Sequence, residues 1–235
     1  EVLYSPGYAS PAVKEQDVLG AEEPDKMEID ADALRNDAVK WAKDADVVFF
    51  VGGLNKNDGQ DCEGNDRSSL SLPYEQDQLI AELAKANPNT VVVIISGNAV
   101  AMPWVKQVPA IVEAWYSGTE AGNALASILF GDVNPSGKLP FTFPVKLEDN
   151  GAHALGEYPG DSINVKYNES IFVGYRWADK QKKTKPLFAF GHGLSYTTFA
   201  YGKATATKKS LTADETITFT VPVKNTGSRE GSEVV

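Results

Sequence analysis

The run of residues best able to do chemistry is Gly59-Gln-Asp-Cys-Glu-Gly-Asn-Asp-Arg67. It sets three carboxylates, Asp61, Glu63 and Asp66, beside the guanidinium of Arg67, with the pliant Gly64 directly after Glu63. A carboxyl group can donate and recover a proton in a transition state if its surroundings raise its pKa toward the working pH. Glu63 could do this. Asp61 is a rival for the same work and a candidate substrate contact. Asp66 is expected to orient the loop by pairing with Arg67, and Cys62 is read as passive. Taken alone, a glutamate in a polar loop is usually solvated surface, and Gly64 and an Asp66–Arg67 pair strengthen the functional reading only slightly.

Other chemistries find no support. Two histidines and one cysteine are too few for a zinc site of the usual ligand types, and one cysteine excludes an internal disulfide. The acid-rich loop 55–66 lacks an EF-hand pattern, since neither Gly59 nor Gly64 follows the acids that loop requires. Gly191-His-Gly193 has Tyr196 where a dinucleotide-binding loop needs glycine, and Gly193-Leu-Ser195-Tyr-Thr197 lacks the last glycine of a nucleophile elbow. No P-loop is present. No metal and no cofactor are expected. A net charge of −10 and a pI near 4.7 argue against nucleic acid, which needs clustered Lys and Arg. The one basic run, Lys180, Lys182, Lys183 and Lys185, reads as a solvated loop, as does the acidic stretch Glu22, Glu23, Asp25, Glu28 and Asp30. No apolar run approaches the ~18 residues of a membrane span. The first residue is Glu1, so the chain is expected to be processed or trimmed, with any leader out of view. A periplasmic or secreted location is the first expectation and a cytoplasmic one the second.

The loop at 53–72 needs elements to hold it. Asp46-Val-Val-Phe-Phe-Val51 ends at Gly52-Gly53 just before it and reads as a strand buried on both faces. Thr90 to Ser96 and Ala110 to Trp115 are two further strands. Helices are expected from Asp32 to Asp44, from Pro73 at the first helical position to Ala86, around Met102 to Gln107, and from Glu120 to Phe130 with Thr119 as cap and Gly131 as stop. Strands alternating with helices imply crossover units and a mostly parallel sheet sandwiched between helices, an α/β fold. Ligands of such sheets sit at the carboxyl ends of strands, which is where the Glu63 loop begins. Further strands are expected in 1–10 and 140–175. After Phe199, Ala204–Thr207 and Thr216–Val221 alternate apolar and polar, and Val223 to Gly227 reads as strand into turn. An incomplete antiparallel β-sandwich segment is expected there, because a whole module needs about seven strands.

Longer patterns sharpen the reading. Glu63-Gly-Asn-Asp-Arg67, with Leu70, Leu72-Pro73 and Gln76 behind it, resembles a motif of glycoside hydrolase family 3. Gly97-Asn98, Trp115-Tyr-Ser-Gly-Thr-Glu-Ala-Gly-Asn-Ala124 and Leu129-Phe-Gly-Asp-Val-Asn-Pro-Ser-Gly-Lys-Leu-Pro140 resemble the C-terminal domain of the same family. So do Tyr167-Asn-Glu-Ser-Ile-Phe-Val-Gly-Tyr-Arg176 and Pro186-Leu-Phe-Ala-Phe-Gly-His-Gly-Leu-Ser-Tyr-Thr-Thr-Phe199. Val223-Lys-Asn-Thr-Gly227 is similar to the start of the family's fibronectin-type-III-like module. Two positions depart: Ser170 stands where glycine is more usual, creating an Asn168-Glu-Ser170 sequon, and Ala178 stands where an aromatic is common. The resemblance implies a family 3 α/β domain over residues 1–199, with 145–199 as its junction segment, and a truncated fibronectin-type-III-like module over 200–235.

The resemblance also implies a reaction: cleavage of terminal non-reducing β-D-glycosyl residues with retention, as by a β-glucosidase. Retention needs two carboxylates about 5–5.5 Å apart. In the family the nucleophile is an aspartate on a preceding (β/α)8 barrel, and the acid/base is often a glutamate on the loop that matches Glu63. A barrel takes about 250 residues, more than this chain can spare. The expected partners are therefore a β-linked oligosaccharide or aryl or alkyl β-glycoside, and a barrel domain from a longer or separate chain. Docked on a barrel, Glu63 would meet burial and a second carboxylate, and both raise a carboxyl pKa. The chain alone is expected to be inactive. A β-xylosidase of the same family is one alternative, and a non-catalytic carbohydrate-binding module is another. Trp104 and Trp115 are read as core.

Overall fold

A computed structural model describes residues 1–10, 30–57, 59–181 and 185–235. The acidic stretch at 22–28 and Lys182 and Lys183 lie outside the described residues. The chain forms two compact units, one of residues 1–119 with 142–188, the other of residues 120–141 with 189–235. This grouping in space differs from a division at 199/200, because segments 131–141 and 189–199 bond to each other in the second unit. Leu139 N donates to His192 O at 2.8 Å, Gly191 N to Leu139 O at 2.8 Å and Lys138 Nζ to Gly193 O at 2.7 Å.

The first unit is α/β. Strands β1 (Val48–Gly53), β2 (Thr90–Ile95) and β3 (Ala110–Glu113) form a parallel sheet in the order β1-β2-β3. Gly53 lies opposite Ile95, and Ile94 opposite Glu113, so all three carboxyl ends reach one edge of the sheet. The central β2 is apolar throughout, and Val92, Val93 and Ile94 are fully buried. β1 differs from expectation. Phe50 and Gly52 are buried, but Phe49 and Val51 are 42% and 45% exposed. Phe49 and Val51 lie on the pleat face opposite Phe50 and Gly52, and that face is left partly open, so an apolar run did not mean burial on both faces.

Helix α1 (Ala31–Ala42) starts where the Asp30 side chain accepts from Ala33 N at 2.9 Å. Helix α2 (Gln76–Ala86) turns Leu79, Ile80 and Leu83 inward, packing on β1, β2 and α1. Each such side chain contributes about 1.5–3 kcal/mol. Arg35 of α1 pairs with Asp32, with Glu75 at 2.7 Å and with Glu82 at 3.7 Å. Buried Asn87 donates to Ala42 O at 2.9 Å and Ala45 O at 2.6 Å, tying the end of α2 to the turn that leads into β1.

α2 starts later than expected. Pro73 stays outside it, and Tyr74 and Glu75 take positive φ of 59° and 57°, which a helix cannot contain. Around Met102–Gln107 there are turns closed by Val105 N to Met102 O and Gln107 N to Trp104 O, not a helix. No strand forms in the described part of 1–10, where Gly7 takes φ +72° against Leu79. Residues 140–175 hold only an isolated bridge from Phe143 to Phe188, a 3₁₀ turn at Leu147–Asp149, a short helix α4 (Gly151–Ala154) and the start of α5 (Tyr175–Lys180). Pro140, Pro144 and Pro159 remove the donors a ladder would need.

The second unit holds helix α3 (Ala121–Leu129). Its N-cap is Glu120 with no side-chain cap bond; the Glu120 carboxylate accepts from Asn123 Nδ2 instead, so Thr119 is not the cap. Gly131 ends it with φ +83°, as expected. Strands β4 (Phe199–Tyr201) and β7 (Val223–Asn225) pair antiparallel, as do β5 (Thr205–Ala206) and β6 (Phe219–Thr220). Their residues are almost all exposed, as an incomplete β-sandwich segment would leave them.

Candidate active site

The chain leaves β1 at Gly53 and, among the described residues, does not regain regular structure until Gln76. What holds this loop is mostly amide chemistry. Leu54 N donates to Ile95 O at 2.8 Å, Asp61 N to Asn55 O at 3.0 Å and Asn55 N to Gln60 Oε1 at 3.0 Å. Gln60 Nε2 and Asn57 Nδ2 both donate to the Tyr74 hydroxyl, at 2.6 and 3.1 Å, and the Tyr74 ring stacks on Tyr8. The return limb is fixed by Ala101 N to Leu70 O at 2.7 Å and by Asp77, whose carboxylate accepts from Leu72 N at 3.1 Å and Trp104 Nε1 at 2.7 Å. Trp104 is fully buried, so it is core, as expected. Trp115 is half-buried, edge-on to Phe143.

Between these footings the four expected residues separate. Asp61 accepts from three donors: Gly97 N at 2.5 Å, Asn98 Nδ2 at 2.5 Å and the Tyr116 hydroxyl at 2.8 Å. Arg67 donates to Asn98 Oδ1 at 2.8 Å, Ala99 O at 2.9 Å and Ser71 O at 3.4 Å. Asp66 accepts from the Tyr158 hydroxyl. The expected Asp66–Arg67 pair is therefore not formed: the adjacent side chains turn to different elements, because Arg67 finds carbonyl acceptors beside β2. Glu63 is exposed and has no hydrogen-bond or ion-pair partner among the described residues. Gly64 beside it takes φ +87°, which a side chain would disfavour, and a Cβ there would meet open space. Cys62 reaches only Asn65 O, at 3.7 Å.

Three participants lay beyond local sequence reasoning. Tyr116 and Asn98 follow the ends of β3 and β2 and stand in segments already noted for their resemblance, but no local pattern gave them a role. Tyr158 gave no signal. Glu113, the last residue of β3, is a further carboxylate here. Its Oε1 accepts from Ser96 Oγ at 3.2 Å and Trp115 N at 3.4 Å, while Oε2 is buried without a partner. Burial pushes this carboxyl up to about 7, against the pull of the Trp115 and Ser96 bonds. Burial, then the bond to Asp61, pushes the Tyr116 phenol well above the ordinary tyrosine range, so it stays a donor.

Among the described residues, no group of three or more His, Cys, Asp and Glu is placed to hold a metal ion, and no helix is long and apolar enough to cross a membrane. Among the described residues, the arrangement thus offers one free carboxylate on a tethered loop at the carboxyl edge of a parallel sheet, and a single carboxylate can transfer protons.

The chain is 53% identical to a β-glucosidase of Bacteroides ovatus over its whole length, covering 31% of that protein. It is 45% identical to a probable β-glucosidase of Aspergillus niger over 88% of its length, covering 25% of that one. Among solved structures, a family 3 β-glucosidase of Bifidobacterium adolescentis matches 97% of the chain with a TM-score of 0.78 and 35% identity. The β-glucosidase DesR of Streptomyces venezuelae, in complex with D-glucose, matches 84% with a TM-score of 0.76 and 43% identity. The chain spans 30% and 24% of those two proteins. The profile of the "Glycosyl hydrolase family 3 C-terminal domain" matches residues 7–196, and the chain belongs to that family.

Proposed function

We propose that this chain supplies the general acid/base of a retaining β-glucosidase, with Glu63 as the proton-transferring group and a nucleophilic aspartate carried by a barrel domain outside this chain. The observation that carries the reading is that, among the described carboxylates of the loop, Glu63 alone has no protein partner. Asp61 and Asp66 are each occupied by protein donors. The similarity to β-glucosidases, of which the chain covers about a quarter to a third, supports both the reaction and the division of labour.

In the first half-reaction the nucleophile attacks the anomeric carbon while Glu63 gives its proton to the leaving oxygen. In the second, Glu63 takes a proton from water, which releases the sugar with its configuration retained. Glu63 thus acts as the acid in the first step and as the base in the second, the switch that a retaining mechanism requires.

The test is a Glu63→Gln variant of the longer protein that carries this chain and the barrel. For kcat/KM, which reports the first half-reaction, an alkyl β-glucoside should lose about 10²–10⁴-fold. A 2,4-dinitrophenyl β-glucoside, whose leaving group departs without a proton, should lose little. Equal losses on both substrates would reject Glu63 as the acid.

A further inference from the structure

Asp61 sits two residues before Glu63 and is engaged on both oxygens. Oδ2 accepts from Gly97 N at 2.5 Å and from the Tyr116 hydroxyl at 2.8 Å; Oδ1 accepts from Asn98 Nδ2 at 2.5 Å. An ionised carboxylate offers about four lone-pair sites, and three are used here. Bonds to a charged acceptor are roughly twice as strong as neutral ones. Gly97 is fitted to this contact: a Cβ there would lie 3.2 Å from Asp61 Oδ2 and 3.2 Å from the Tyr116 ring. Asn98 links the clamp to the far side of Glu63, because its Oδ1 accepts from Arg67 Nη1 at 2.8 Å. The loop is thus pinned two residues before Glu63 and four residues after it, to the segment following β2, and the first pin also reaches the segment following β3.

We infer that Asp61 is a positioning residue for Glu63, fixing the height and direction of the acid over the strand ends, and is not a substrate ligand. This inference rests on the proton-transfer reading of Glu63. Asn at 61 would have the same shape but would turn an NH2 toward Asn98 Nδ2 or toward Gly97 N, placing donor against donor in either orientation. The loop would then let Glu63 move, and a displacement of about 1 Å can cost about 10²-fold.

The test compares Asp61→Asn with Glu63→Gln in the longer protein, using kcat/KM on an alkyl β-glucoside and on the 2,4-dinitrophenyl β-glucoside. A positioning role is expected to cost Asp61→Asn about 10²-fold on the alkyl substrate and less than about 3-fold on the dinitrophenyl one, with KM nearly unchanged. Gly97→Ala, which crowds the same carboxylate without removing it, should show the same split at smaller size. Equal losses on both substrates with a raised KM would make Asp61 a substrate ligand and overturn the inference. Equal losses with KM unchanged would make it a general structural residue and overturn it too. If Glu63→Gln itself shows no split, the acid reading fails. If Glu63→Gln shows it and Asp61→Asn does not, only the positioning role fails.

Discussion

At the scale of single residues, the buried carboxyl of Glu113 makes a clear statement about pH. Its Oε2 has no partner, and its pKa is pushed from 4.5 to about 7, first by burial. In that window the folded chain holds a proton that the unfolded chain has released. The contribution is therefore fully present below about 4.5 and lost as pH rises through about 7. At about 1.4 kcal/mol per pKa unit it amounts to about 3 kcal/mol. Glu113→Gln keeps an oxygen for Ser96 and Trp115 but cannot ionise. Urea unfolding at pH 5 and pH 8 should show the parent losing about 2.5 kcal/mol more than the variant across that interval; parallel losses would contradict the assignment. The same scale marks where sequence reading stopped. The loop from Gly59 to Arg67 was legible because its residues are contiguous. The partners of Asp61 were not, because they lie 36, 37 and 55 residues away and a bond across such distances leaves no local pattern. The Asp66–Arg67 pairing went astray for the converse reason: adjacency in sequence suggested a contact, while the two side chains reach distant partners instead.

At the scale of elements, the footing of the loop is the contact between β1 and α2. Buried Gln76 accepts from Gly53 N at 2.7 Å and donates to Gly53 O at 2.8 Å and Pro73 O at 2.9 Å. Gln76→Leu keeps the volume and strands these backbone groups in the interior. The expected cost is about 2–4 kcal/mol in denaturant unfolding; a change below about 1 kcal/mol would show that water or rearrangement satisfies them. Gly53 is constrained twice over, by φ +143° and by a Cβ position 2.0 Å from the backbone oxygen of Ile95. Gly53→Ala should therefore fail to yield the native fold by near-UV circular dichroism, whereas a native spectrum would remove Gly53 from the account. Hydrophobic period and length made β1, β2, β3, α1, α2 and α3 legible, because packing rewards periodicity directly. Their ends were less so. The start of α2 is set by the side chain of Gln76 reaching back to Pro73 and Gly53, which outweighs the preference of proline for a first turn. The strands expected in 140–175 are absent because apolar residues there alternate with prolines and turns that cannot supply a ladder.

At the scale of the whole molecule, the chain covers 31% of the Bacteroides ovatus β-glucosidase it resembles, and retaining hydrolysis needs a second carboxylate. The 235-residue chain alone should not hydrolyse an aryl β-glucoside; turnover that disappears in Glu63→Gln would show that the chain holds a complete site. The grouping of α3 and residues 131–141 with 189–235 was not legible, because the change of texture at 199 marks where alternation begins and not where contacts divide. The most direct test of the central claim uses Glu63→Ala in the longer protein with the 2,4-dinitrophenyl β-glucoside. Its leaving group needs no acid, so a glycosyl-enzyme forms and then waits for a base to activate water. Azide needs no base: its nitrogen bonds to the anomeric carbon as the bond to the enzyme carboxylate breaks. Added azide should raise kcat at least about 10-fold, in line with the range for a lost acid/base, and yield a β-configured glycosyl azide. An unchanged rate with no azide adduct would contradict the assignment of Glu63 as the acid/base.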